Sequence, residues 1–327
     1  MEFGICFKGD IMPERTLKLA QRAEELGFTY GWTYDSHILW KECYIMLTYL
    51  AANTENMHWG PLVTNPAVRD VHVTASIFAT LDIISNGRAE CAIGRGDSSL
   101  RMLGKRPRKV AEMEQAIKDI QSLTAGGKVN LNDHEVELDW TIGRAVPMWM
   151  AAYGPMALAA AGRVANGLVL QIADPFLVNW FITQMKKSAA VSGRNPSEIK
   201  VMSCAPTWVG GMEKAREQTR WFPAMVGNHV ADLVERYHSG ELPQAFTDYI
   251  EGRKGYDYKE HADKDADHLD FISEDIIERF SILGNKDQHI AKLKQLEAIG
   301  VDLFVMYLMS GDEEEQLEAY ADIVKAF

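Results

Sequence analysis

The sequence predicts a (β/α)8 TIM barrel with insertions, and three observations point to that fold. Short β-rich runs alternate with apolar stripes at helical spacing almost from end to end. The runs number eight, each followed by a helical pattern, which is the count of the barrel. The chain has 327 residues, and since the barrel is typically about 250 residues long, the excess belongs in insertions. A doubly wound open sheet is the alternative architecture, because alternation alone does not establish closure.

Taken in order, strands are expected near Phe3–Phe7, Tyr30–Tyr34, His58–Val63, Ala89–Ile93, Met148–Ala151, Leu168–Leu170, Val201–Val209 and Val301–Tyr307. Leu19, Ala23 and Leu26 mark the first helix, and Val110, Met113, Ile117 and Ile120 a later one. Ile290, Leu293, Leu296 and Ile299 mark the last helix before the final strand. Gly27 and Gly300 follow helices where a left-handed residue is wanted, and Asn86-Gly87 stops another. A stretch from Gly126 to Pro147 reads as a small hairpin or an extended excursion. Apolar periodicity fails from about Ser239 to Ile272, where Tyr, His, Asp and Lys crowd together. Within a single domain spanning 1–327, the insertion 239–272 is expected to be a lid over the barrel mouth or an interface segment.

Composition narrows the function. The formal net charge is −12, which repels polyanions, so neither nucleic acid nor an anionic membrane is an expected partner. No apolar run approaches the roughly 18–20 residues of a spanning helix. The N-terminus, Met1-Glu2-Phe3-Gly4-Ile5, lacks the basic and apolar regions of a signal peptide. The four cysteines, Cys6, Cys43, Cys91 and Cys204, lie far apart and form no Cys-x-x-Cys pair. They read as buried thiols in a reducing compartment, and the expected location is cytoplasmic.

In a parallel barrel the reacting groups lie at the C-terminal ends of the strands. That rule selects Asp35-Ser36-His37, Thr64-Asn65-Pro66, Gly94-Arg95-Gly96-Asp97-Ser98-Ser99, Ala152-Tyr153-Gly154-Pro155-Met156 and Gln171. Gly154-Pro155-Met156 opens a helix of small residues, whose free N–H groups suit a phosphate. The same residues also fit an ordinary turn with proline at the first helical position. Gly94-Arg95-Gly96 lacks the third glycine of a dinucleotide fingerprint. His37, two residues from Asp35, is placed to exchange protons near neutral pH, or simply to pack its loop. His134, His229, His238 and His289 read as surface residues. Asp263-x-Asp265-x-Asp267 mimics a calcium loop but has His268 where the turn needs glycine, so no metal is expected.

Three blocks in order resemble the bacterial luciferase-like family of flavin and deazaflavin oxidoreductases. The first is Thr80-Leu81-Asp82-Ile83-Ile84-Ser85-Asn86-Gly87-Arg88 with Gly94-Arg95-Gly96-Asp97. The second is Val146-Pro147-Met148-Trp149-Met150-Ala151-Ala152-Tyr153-Gly154-Pro155, then Ala161-Gly162-Arg163 and Asn166-Gly167. The third is Phe280-Ser281-Ile282-Leu283-Gly284-Asn285 with Leu296-Glu297-Ala298-Ile299-Gly300-Val301-Asp302. The Gly-x-Gly-Asp segment is similar to the methylenetetrahydromethanopterin reductase branch. The usual Asp-Gly of the second block reads Asn166-Gly167 here.

The resemblance implies an oxidoreductase binding FMN or a deazaflavin coenzyme of the F-420 type, for hydride transfer or monooxygenation of a small organic substrate. It implies that the cofactor phosphate rests on the loops after the fourth and fifth strands, at Asp97, Ser98, Ser99, Tyr153, Gly154, Pro155 and Met156. The ring would lie over a bulged peptide around Val63, Thr64 and Asn65. Asp35 and His37 would approach the ring as catalytic groups, although one residue separates them where some members place the two side by side. Lys105, Arg106, Arg108 and Lys109 would meet the acidic tail of a deazaflavin coenzyme, or form a solvated helix start. A flavin reductase or other electron donor and a homo-oligomer complete the expected partners. A non-redox barrel lyase or hydrolase, and a flavin-binding protein without turnover, are the alternative readings.

Overall fold

The computed structural model describes residues 1–227, 272–309 and 311–327. Short apolar runs become strands and the amphipathic stretches between them become helices. In chain order the first elements are β1 (Glu2–Phe7), α1 (Pro13–Glu25), β2 (Tyr30–Thr33), α2 (Cys43–Ala52), β3 (His58–Pro61), α3 (Val71–Ile84) and β4 (Cys91–Ile93). There follow α4 (Ser98–Arg101), α5 (Val110–Thr124), β5 (Val129–Leu131), β6 (His134–Val136), β7 (Met148–Ala151), α6 (Pro155–Val164), β8 (Gly167–Leu170) and α7 (Pro175–Val191). The chain continues with β9 (Lys200–Val209) and α8 (Met212–Thr219). After the segment outside the described residues come α9 (Glu274–Phe280), β10 (Ile282–Gly284), α10 (Lys286–Ala298), β11 (Leu303–Leu308) and α11 (Glu313–Val324).

Eight strands run parallel in the order β3-β2-β1-β11-β9-β8-β7-β4. The ends of that path meet through bridges at Trp59–Ala89 and Thr64–Ile93. At this seam Thr64 N donates to Ala92 O (2.9 Å) and Gly94 N to Thr64 O (2.8 Å). The sheet is therefore a nearly closed barrel, which excludes the doubly wound alternative. β5 and β6 form the antiparallel hairpin that was one of two readings of the Gly126–Pro147 stretch. β10 was not foreseen; it pairs with the last three residues of β9, outside the barrel path.

The interior is filled by indoles that need glycine opposite them. A Cβ at Gly31 would lie 2.2 Å from Trp59, and one at Gly167 2.1 Å from Trp149. Each ring NH finds a partner, Thr54 Oγ1 for Trp59 (2.7 Å) and Glu90 Oε2 for Trp149 (2.7 Å). Gly27 and Gly300 end α1 and α10 at φ +95° and +100°, the left-handed region expected of them. All four cysteines are buried free thiols, and burial pushes each of them up, so they stay protonated.

The family blocks hold the scaffold together. Arg88 donates to the carbonyls of Ala51 (3.0 Å) and Thr54 (2.8 Å) and to that of Met57, tying the end of α2 to the start of β3. Asp82, buried, accepts from Ala89 N (3.2 Å) and from Arg144 (2.5 Å). Asn166 Oδ1 accepts from Met148 N (2.9 Å) and Gln121 Nε2 (2.8 Å), so the Asn-Gly variant still joins β7 to β8.

One expectation is overturned. His289 is not a surface residue but fully buried, between Tyr320 OH (3.0 Å at Nδ1) and Trp208 O (3.0 Å at Nε2). It sits one turn before Leu293 on the buried stripe of α10. His134 is exposed, as expected, whereas His229, His238 and almost all of the 239–272 insertion lie outside the described residues. Among the described residues no helix is long and apolar enough to cross a membrane.

Candidate active site

The C-terminal ends of β2, β3, β4, β7 and β8 open on one mouth, as parallel strands in one barrel must. After β2 the chain buries Asp35 and Ser36 and then exposes His37. The Asp35 carboxylate accepts from Thr64 Oγ1 (2.8 Å) and from Arg69 Nη1 (2.8 and 3.1 Å). Arg69 reaches back from the loop between β3 and α3, pairs through its other nitrogen with Glu42, and lies 4.5 Å from the Tyr44 ring centroid. Tyr44 OH donates to Thr64 Oγ1 (2.8 Å). A hydroxyl has one proton, so the Thr64 group is fixed as acceptor from Tyr44 and donor to Asp35.

The loops after β2, β3 and β4 are laced together by short polar side chains. Ser36 Oγ and Ser98 Oγ are 2.8 Å apart. Asn65 Nδ2 donates to Ser99 Oγ (3.0 Å), while Asn65 Oδ1 accepts from Ala67 N and Val68 N (both 3.1 Å). Asp97 caps the short α4 in sequence, and its carboxylate accepts from Arg101 Nε (2.6 Å). Just before Thr64 the Leu62–Val63 peptide is cis. A Cβ at Gly94 would lie 2.9 Å from Val63, so this glycine lets the two strand ends pack at the seam.

β7 is the neighbour of β4, with Met150 level with Ile93, so the loop carrying Ser98 and Ser99 and the loop that leads into α6 leave the barrel from adjacent strands. Gly154 caps α6 without a side-chain hydrogen bond, Pro155 follows, and Leu158 N is the first to bond back, to Gly154 O (2.9 Å). This leaves N–H groups at the helix start available to an anion. These N–H groups, and the Ser98 and Ser99 hydroxyls on the loop after the neighbouring strand, are donors of the kind a phosphate takes.

Below the mouth the barrel is closed by buried aromatic groups. Gln171 Nε2 donates to Tyr307 OH (2.7 Å), and Gln171 N to Tyr153 OH (2.9 Å). Tyr34 packs on Tyr307 (5.8 Å between centroids) and stacks on Trp40 (4.9 Å). Burial pushes the phenols of Tyr34, Tyr153 and Tyr307 up, so this floor is neutral.

The structure thus joins Asn65 to Ser99 beside Thr64 at the β3–β4 seam and Ser98 to Ser36, and it places Gly154, Pro155 and Met156 at the start of α6, after the neighbouring strand β7. It does not join Asp35 to His37: the carboxylate is turned to Thr64 and Arg69, and among the described residues no hydrogen bond links it to the imidazole. Tyr153 directs its phenol inward to Gln171, which leaves only its backbone for the mouth. Sequence reasoning missed Arg69, Glu42 and Tyr44. No local pattern marks Arg69, whose partner Asp35 lies 34 residues away.

The comparisons with known proteins agree with this architecture. The luciferase-like monooxygenase family model matches residues 1–303. A 5,10-methylenetetrahydromethanopterin reductase of Methanopyrus kandleri is 28% identical, over 97% of this chain and 95% of its own. The enzyme of the same name from Methanolobus tindarius is 29% identical, over 97% of each chain. The solved structure of the coenzyme F420 dependent tetrahydromethanopterin reductase from Methanopyrus kandleri superimposes with a TM-score of 0.76 at 24% identity, covering 99% of this chain and 98% of its own. The chain belongs to the luciferase-like monooxygenase family of oxidoreductases.

Proposed function

We propose that this chain binds a deazaflavin coenzyme of the F420 type at the barrel mouth and transfers hydride between its ring and a small organic substrate. The observation that carries the reading is the seam at Thr64–Asn65, with Asn65 bonded to Ser99 and Ser36 to Ser98, on strands next to the one that leads into the uncapped start of α6. It is supported by the reductase relatives and by the F420 dependence of the Methanopyrus enzyme. When bound, the deazaflavin supplies a ring that accepts or gives a hydride. The N–H groups of Gly154 and Met156, with the Ser98 or Ser99 hydroxyl, hold its phosphate. Charge-assisted hydrogen bonds of this kind contribute roughly 1.5–3 kcal/mol each. The Thr64–Asn65 backbone carries the ring, and the Tyr34–Tyr307–Gln171 floor keeps water from beneath it.

His37, exposed on the loop after β2, exchanges the proton that accompanies hydride transfer. Asp35 acts one step back, as the buried anchor of the Thr64 hydroxyl. The reading includes a cytoplasmic protein and a homo-oligomer. Should FMN be the bound ring, a flavin reductase or other donor would supply its electrons and oxygen its co-substrate.

Equilibrium titration with coenzyme F420 and, separately, with FMN tests the proposal, followed by ring fluorescence without oxygen. Binding of F420, weakened at least about tenfold by Gly154→Val through the loss of one such contact, is the expected result. Binding of FMN alone transfers the site to flavin chemistry. Binding of neither ring rejects the redox reading.

A further inference from the structure

The loop between β3 and α3 carries a cation that the function above does not use. Arg69 is only 17% exposed in its side chain, and Asp35, its partner at 2.8 Å, is wholly buried. We propose that Arg69 is a positioning residue of the cofactor site: by pairing with Asp35 and Glu42 together, it holds Asp35 as a carboxylate and, through Asp35, fixes the Thr64 hydroxyl at the β3–β4 seam. The proposal rests on the assignment of that seam to the cofactor ring.

A carboxylate without solvent persists only when it is paired and hydrogen-bonded. The ionisable groups that face Asp35 are Arg69 from the β3–α3 loop, Glu42 beyond the guanidinium, Cys43 and Tyr44 on α2, and Cys91 on β4. Burial pushes Cys43, Cys91 and Tyr44 up, so all three remain neutral through the physiological range. Among the described residues Arg69 is therefore the cation that neutralises Asp35. Its planar fork spans two carboxylates while its face covers Tyr44, which the point charge of a lysine does not reproduce. The consequence reaches the mouth through one atom. Thr64 Oγ1 donates to Asp35 and accepts from Tyr44, and the Thr64 backbone carries both hydrogen bonds that close the seam to Ala92 and Gly94.

Removing the cation leaves Asp35 buried, unpaired and close to Glu42, which raises its pKa. A carboxyl whose folded pKa lies above its unfolded value costs stability as pH rises through that folded pKa. The test compares wild type, Arg69→Gln, Arg69→Lys and the Arg69→Gln/Asp35→Asn double variant from pH 5.5 to 8.5. Two readouts are taken, the Kd for coenzyme F420 and the thermal unfolding of the cofactor-free protein. Relative to wild type, Arg69→Gln is expected to bind at least tenfold more weakly at pH 8.5, with the gap narrowing toward pH 5.5. Its unfolding midpoint falls relative to wild type over the same rise in pH. The double variant loses both trends, and Arg69→Lys shows a smaller, pH-independent loss of affinity. A pH-independent difference for Arg69→Gln, or a trend that survives Asp35→Asn, overturns the proposal. If wild type binds neither F420 nor FMN, the functional reading fails, and the unfolding data still decide whether Arg69 holds Asp35 charged.

Discussion

His37 and Asp35 look like a pair in sequence but are not bonded to each other in the structure, so the proposed function gives them different work. The imidazole is exposed at the mouth, while the carboxylate is buried against Thr64 and Arg69. A positioned acid/base group contributes roughly 10²–10⁴-fold to a proton transfer. His37→Ala and His37→Asn should therefore slow single-turnover ring oxidation by two or more decades at unchanged cofactor affinity. Full activity in both variants would leave His37 as loop packing, with the proton coming from water or substrate. The spacing Asp35-x-His37 was legible because both residues follow a strand end, where chemistry gathers. Where the carboxylate would turn was not legible, because Arg69 and Thr64 come from a different strand loop, 34 and 29 residues on.

Elements were legible wherever burial imposes a period. The eight barrel strands fall within about two residues of their expected bounds, because a strand buried on both faces is a short apolar run. β10 was missed because three residues at the rim carry no period. His289 was misread for a related reason. Lys286, Asp287 and Gln288 precede it and make the start of α10 look solvated, yet His289, Leu293 and Leu296 form one buried stripe. Its partners Trp208 and Tyr320 belong to β9 and α11, distant in sequence. Burial lowers the imidazole to about 4, below the unfolded value near 6.5. The unfolded chain takes up that proton first, so the contribution is whole above pH 6.5 and is lost as pH falls toward 4. The loss amounts to ~3 kcal/mol. Chemical denaturation of wild type and His289→Gln between pH 7 and 4 should show this extra decline in wild type only. Parallel curves for the two proteins would mean that the buried imidazole is not neutral when folded.

At the scale of the molecule, the family and the strands that carry its blocks were legible, while the side-chain bonds between the loops of the mouth were not. Arg88, Asp82 and Asn166 belong to the blocks by which the chain resembles its relatives, and all three tie helices to the entering ends of strands. This part of the resemblance is barrel construction, while Gly94 to Asp97 and Tyr153 to Pro155 of the same blocks follow β4 and β7 at the mouth. The β3–β4 side of the mouth carries less distinctive residues, Thr64, Asn65, Ser98 and Ser99, whose loops come together only where the two strands meet at the closing seam. That seam joins strands from separate βα units, and β7, whose loop leads into α6, pairs with β4. In the proposed function the cofactor lies across this junction. A crystal structure of the protein with coenzyme F420 tests it most directly. The phosphate is expected within hydrogen-bond distance of the Met156 N–H and of the Ser98 or Ser99 hydroxyl, with the ring against Val63–Thr64. A coenzyme bound elsewhere on the barrel, or bound at the mouth with its phosphate away from α6, would contradict it.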